Sequence, residues 1–299
     1  MTPDAPSASV HWLRRLLSVA PIRLLAMFGI FTAIYSGSAS GAYAVLKRLP
    51  QQWHALWVGF VLLAIVALVL MVYRGLVRWI ERRRVPELAV PPGMRLLAGG
   101  TLTGVLCLSA VFTIYAVLGM LGSVQYVGGI AVLGSLAICI IASLAEELIM
   151  RGIVFRVLEQ WLGSGIALGF SSILFGLVHL ANPNATLLGA IAIAVETGLL
   201  LGGAYMLCRN LWLPIGVHFG WNLAESVIYG ANTSGLNLPG LFSVPVHGPA
   251  LMSGGAFGPE ASVPAMVIGT TAACLFLFFA VRRGQWQPLR WQLRLPVSA

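Results

Sequence analysis

Three short groupings in this chain place acids, bases and an amide at helical spacing inside apolar sequence: Glu146-Glu147-x-x-x-Arg151, Phe175-x-x-x-His179 and His218-x-x-x-Asn222. Residues four apart share one face of a helix. Glu147 and Arg151 can therefore pair and neutralise each other. Glu146 is rotated by about 100° from its neighbour and stays free to act as a base. The imidazoles and the amide supply acceptors and donors. A base for water, with donors for an oxyanion, is enough to hydrolyse an amide without a covalent nucleophile. Taken singly, each histidine is more often a packing or hydrogen-bonded residue than a catalyst. The chain has only five histidines, however, and ionisable groups in apolar spans are functional candidates by default. Ser143, one turn before Glu147, reads as a small packing residue.

The surrounding sequence explains why these groups are unusual. The chain is 299 residues long, 59% hydrophobic and only 9% charged, where a soluble domain carries about 25%. A carboxylate at bilayer depth costs roughly 2.5–3.5 kcal/mol on insertion scales. Spans need about 20 apolar residues each. Seven such runs and a shorter one stand out: 24–45, 56–73, 96–121, 127–150, 165–180 (the short one), 187–208, 211–229 and 263–281. The expectation is an all-α, polytopic membrane bundle of about eight transmembrane helices, with residues 1–299 as one integral membrane domain. The polar start and the lack of a small-residue cleavage site suggest an uncleaved anchor rather than a signal peptide.

Basic residues set the expected orientation. With a cytoplasmic N-terminus, sixteen of the eighteen Lys and Arg residues fall in inside segments, and only Lys47 and Arg48 lie outside. That bias predicts both termini in the cytoplasm and an even number of spans. The net charge of +9 then answers to anionic lipid. No basic patch is interleaved with aromatics on a soluble module, so nucleic acid is not an expected partner.

The four cysteines, Cys107, Cys139, Cys208 and Cys274, lack metal or disulfide spacing and read as small buried hydrophobes. The segment 230–262 has no Lys or Arg and is rich in Gly, Pro, Ser and Asn, so irregular structure is expected. Its end, "GGAFGPEAS", loosely resembles an element of chloride channels and exchangers, where helix N-termini bind anions. Glu260 there also suits ordinary helix capping.

The three groupings, in this order and each on a hydrophobic span, resemble the CAAX protease and bacteriocin-processing family of intramembrane proteases, which includes the type II CAAX prenyl endopeptidases. The resemblance implies a family-like catalytic core at about 127–282. It implies an endopeptidase acting on a membrane-associated, in some members prenylated, protein or peptide, in a prokaryotic cell membrane. By the same resemblance Glu146 activates water, His179 helps to hold it, and His218 and Asn222 stabilise the oxyanion. Glu147, Arg151 and Phe175 are support. The metalloprotease label of the family raises the question of a divalent ion such as zinc, whose donors would be Glu146, His179 and His218. HExxH is absent, and the preferred reading has no tightly held metal. The alternatives are an anion channel or transporter, and a non-catalytic membrane scaffold. One conflict needs resolving: Glu146 lies near the inner end of its span and His179 near the outer end of the short one. The two depths agree if the helix of Glu146 continues past Arg151 towards Trp161, and if "ANPN" ends the short helix just after His179.

Overall fold

A computed structural model describes residues 15–289. Eight long helices follow in order. They are α1 (Ala20–Leu46), α2 (Gln51–Glu81), α3 (Val90–Val117), α4 (Val132–Leu162), α5 (Ser164–Ala181), α6 (Leu187–Cys208), α7 (Trp212–Asn222, continued by Leu223–Ile228) and α8 (Val263–Arg282). Seven of them are long and apolar enough to cross a membrane, and α7 is the shorter one. The short run at 165–180 thus qualifies. The one that falls short was expected to be a clear span. Large side chains such as Leu63 (72% exposed) and Phe60 point outward. In water this surface would be one unbroken apolar patch; it is the face of an integral membrane protein. The only sheet among the described residues is a two-stranded pair, β1 (Gln125–Tyr126) with β2 (Phe242–Ser243).

Local chemistry ends the helices where the site needs them to end. Prolines sit in the first turns of α1, α3 and α8, where their missing N–H is no loss. Gly163 separates α4 from α5 at φ +88°, and a Cβ there would meet the Pro288 carbonyl at 2.4 Å. Arg209 takes a left-handed turn between α6 and α7, and the Asn210 side chain then accepts from the Trp212 N–H at 2.9 Å. These short turns make the joined helices antiparallel neighbours. α4 does run on to Leu162, and α5 closes in a tight turn, His179–Ala181, with Asn182 extended before Pro183. The conflict of depths is thereby removed.

α3 and α7 approach at backbone contact. A Cβ on Gly104 would lie 2.1 Å from the Val217 carbonyl oxygen, and one on Gly220 would lie 2.1 Å from that of Thr101. Gly100 and Gly216 interlock in the same way. These are two facing GxxxG stretches, which let helix backbones meet where no hydrophobic effect drives them together. This interlock fixes the depth and rotation of α7, which carries His218 and Asn222.

Three expectations need correction. The segment 230–262 is not wholly irregular: it holds β2, a one-turn helix (Ala250–Ser253) and a tight turn (Pro259–Ala261). It also dips into the bundle, burying Phe257 and Glu260. The cap of α8 is Ser262, whose Oγ accepts from the Ala265 N–H at 3.2 Å, and not Glu260. That N-terminus is thus occupied by its own chain. All four cysteines are free, but only Cys139 is fully buried, and Cys274 is exposed on the apolar outer face.

The glycine interlock predicts a sharp contrast. Gly104→Val should lower thermal stability in detergent by about 1–3 kcal/mol, the usual cost of overpacking. Gly59→Ala, where nothing lies within 4 Å, should leave it unchanged or slightly higher. Equal melting of both variants in a thermal unfolding assay would show that the close approach is not required.

Candidate active site

The site is built on α4, α5 and α7, with α6 behind them. Glu147 and Arg151 are both fully buried, and Arg151 Nη1 donates to Glu147 Oε1 at 2.7 Å. The pair expected from spacing alone is present. Glu147 does more than neutralise the arginine, however. The same Oε1 lies 3.1 Å from His218 Nδ1, which ties α7 to α4. The other nitrogen of that ring, Nε2, faces Glu146 Oε2 at 3.9 Å. Glu147 is therefore both anchor and orienter, a wider role than the sequence assigned.

Arg151 is held on every side. Its Nη2 donates to the Gly198 carbonyl at 3.1 Å and to that of Thr197 at 3.4 Å. Those carbonyls belong to a wide π turn, Ala194–Gly198, in the middle of α6. A wide turn leaves carbonyls that the ordinary ladder would have used, and such turns cluster at functional sites. Two more follow the site residues directly, Leu148–Phe155 after Glu147 and Leu223–Ile228 after Asn222. The guanidinium plane rests 4.8 Å above the ring of Phe175, a cation–π contact. Phe175 also meets His179 edge-on at 4.8 Å and His218 at 5.9 Å between ring centres. It is the apolar hub on which the three basic side chains converge.

His179 Nδ1 hydrogen-bonds the Phe175 carbonyl at 2.7 Å. A carbonyl can only accept, so Nδ1 carries the proton and Nε2 is the nitrogen left for chemistry. Glu146 differs from all its neighbours. Its side chain is 31% exposed, while its Oε2 is enclosed and meets no hydrogen-bond donor among the described residues. Asn222 is half-buried one turn beyond His218. Its backbone carbonyl takes the Cys139 thiol of α4 at 3.6 Å. Glu146, Glu147, Arg151, Phe175, His179 and His218 thus form one connected group, with Asn222 beside α4 at its edge.

A metal fits this arrangement poorly. Among the described residues, no three His, Cys, Asp or Glu side chains converge as a ligand set. Glu146, His179 and His218 would have to be that set, so nothing below is routed through an ion.

Three acids escaped the sequence reading as site neighbours: Glu196, Glu225 and Glu260, all buried. The signal was available, since each is an acid in or beside an apolar span. Away from this region, Glu81 and Glu87 gather Arg23, Arg83 and Arg156 at one end of the bundle. Burial pushes the Glu87 carboxyl up, but bonds from Arg83 and Tyr73 outweigh it and hold it below the usual carboxylate range.

No curated protein and no solved structure matches the chain. Residues 128–224 of the 299 match the family model described as type II CAAX prenyl endopeptidase Rce1-like. That segment contains every residue of the connected group and Asn222. The helices that build the site are an Rce1-like domain of the type II CAAX prenyl endopeptidases.

Proposed function

We propose that this protein is an intramembrane endopeptidase that hydrolyses a peptide bond of a membrane-associated protein or peptide, with Glu146 as the base for water. The observation that carries the reading is the asymmetry of the two adjacent acids. Glu147 is sealed and committed to Arg151 and His218. Glu146 is partly exposed and has an enclosed, partnerless oxygen within reach of an imidazole. The family match supports a membrane protease. A prenylated substrate is one form that such a substrate can take.

The chemistry follows from the atoms. Glu146 takes one proton from a water oriented by His179 Nε2. The water oxygen bonds to the scissile carbonyl carbon, and the carbonyl oxygen gains the charge. His218 and the amide of Asn222 donate to that oxyanion. With Nδ1–H given to Glu147, His218 donates from Nε2 only as imidazolium. The C–N bond then breaks and Glu146 returns its proton to the leaving amine. We place the whole chain in one membrane domain, with a catalytic core at about 127–282 and both termini in the cytoplasm.

Glu146→Gln keeps size and fold but removes the base. It should lower turnover of a labelled membrane-peptide library by at least ~100-fold, as expected for a general base. Wild-type turnover in this variant would remove Glu146 from the mechanism. Arg151→Ala should act differently, through the fold. Breaking a buried pair typically costs about 3–5 kcal/mol, so yield and thermal stability should fall along with activity. An Arg151→Ala protein as stable as wild type would show that the brace is dispensable. The orientation is tested with reporters fused at each end, both of which should be active only on the cytoplasmic side; a split result would overturn the even-span topology.

A further inference from the structure

Three buried carboxyls lie behind the site without a cation. Glu196 and Glu225 are sealed, and Glu260 is 4% exposed. Among the described residues no Lys or Arg forms an ion pair with any of them. Glu225 follows Asn222 by three residues and His218 by seven, so it continues their face of α7. The segment 230–262 then folds back and lays Glu260 on it. The Glu260 N–H donates to Glu225 Oε1 at 3.2 Å, and the two carboxyls are within hydrogen-bonding range of each other. Yet Glu225 Oε2 and Glu260 Oε1 are enclosed and receive no hydrogen bond from the described residues.

Two ionised carboxylates at that range in an apolar interior repel strongly, and nothing nearby offsets the repulsion. One proton between them removes the repulsion and gives the partnerless oxygens a bond. A single negative charge remains. The ionisable groups facing Glu260 are Glu225 of α7, Glu196 of α6, His179 of α5 and His218 of α7. The first turns of α6 and of α8, which pack on Pro259–Ala261, bring none. The residual charge therefore acts on the two site imidazoles. Burial, the largest influence, pushes the Glu260 carboxyl up, and His179 pulls against it.

We propose that Glu225 and Glu260 share one proton as a hydrogen-bonded acid–carboxylate pair, and that Glu260 is a positioning residue whose residual charge keeps the site histidines protonated for oxyanion donation. The second half of this inference rests on the proposed hydrolysis; the shared proton does not.

The two halves are tested separately on the full-length protein in bilayers. Infrared spectra at neutral pH should show the carbonyl stretch of a protonated carboxylic acid. The band should weaken in both Glu225→Gln and Glu260→Gln. If it is unchanged in both, the pair is ionised or holds a cation instead, and the proposal falls whether or not the protein cleaves anything. The pH dependence supplies the second readout. A histidine that loses a neighbouring negative charge gives up its proton at lower pH. Glu260→Gln should thus move the alkaline limb of the pH–rate profile down by about one pH unit. Glu225→Gln leaves the whole charge on Glu260, so its limb should stay in place or rise. Equal downward shifts in both variants, or none in Glu260→Gln, would overturn the positioning role. If no peptide is cleaved at all, the proposed hydrolysis fails while an intact infrared result keeps the shared proton.

Discussion

A guanidinium with no exposed surface has to be satisfied entirely from within, and satisfying Arg151 arranges the middle of this bundle. Its partners come from three helices. Glu147 of its own α4 takes one nitrogen, two carbonyls of α6 take another, and the ring of Phe175 on α5 covers its face. The carboxylate that neutralises it then reaches α7 through His218. One buried charge thus draws four helices to a common point. A pair of this kind need not add net stability over apolar packing. What it contributes here is uniqueness, because no other rotation of these helices supplies all four partners. Catalytic geometry needs that property more than it needs a deeper energy minimum.

The wide turns are the backbone's half of the same arrangement. In a bilayer every carbonyl must find a donor, and a regular helix uses them all. The π turn of α6 releases Thr197 and Gly198 to the arginine without breaking the span. The π turn after Asn222 similarly lets α7 carry Glu225 onward while the re-entrant segment meets it. Irregular backbone therefore appears where polar side chains must converge. The α3–α7 contact does the opposite job with glycines: it allows no freedom, so that the polar groups on α7 are presented from a rigid wall.

Much of this was legible in the residues, and the division follows physical range. Contacts at i,i+4 are encoded by spacing, so the Glu147–Arg151 pair and the common face of Phe175 and His179 could be read directly. Span lengths and the prolyl end of α5 also follow from local chemistry. The link from Glu147 to His218 joins residues 71 apart in the chain, and no periodicity reports it. The π turns have no residue signature in this sequence. The facing GxxxG stretches were visible as motifs, but only the packed helices show that they meet each other. Glu260 illustrates the limit most clearly. An acid just before a helix reads as a cap, whereas Ser262, two residues later, takes that role and leaves the acid to point inward.

The eight glutamates then divide by what surrounds them. Those at the arginine-rich end, Glu81, Glu87 and Glu159, are held by cations and brace the helix ends. Glu147 is held by a cation in the membrane's interior, so it can remain an anion and orient an imidazole. Glu196, Glu225 and Glu260 have no cation, and in an apolar interior a carboxyl without one is stable only when it holds or shares a proton. Glu146 alone combines an enclosed oxygen with an exposed edge. It is buried enough for a charge on it to be felt strongly and open enough to exchange a proton with water. A carboxyl used as a base has to meet both conditions, and among these eight only Glu146 meets them.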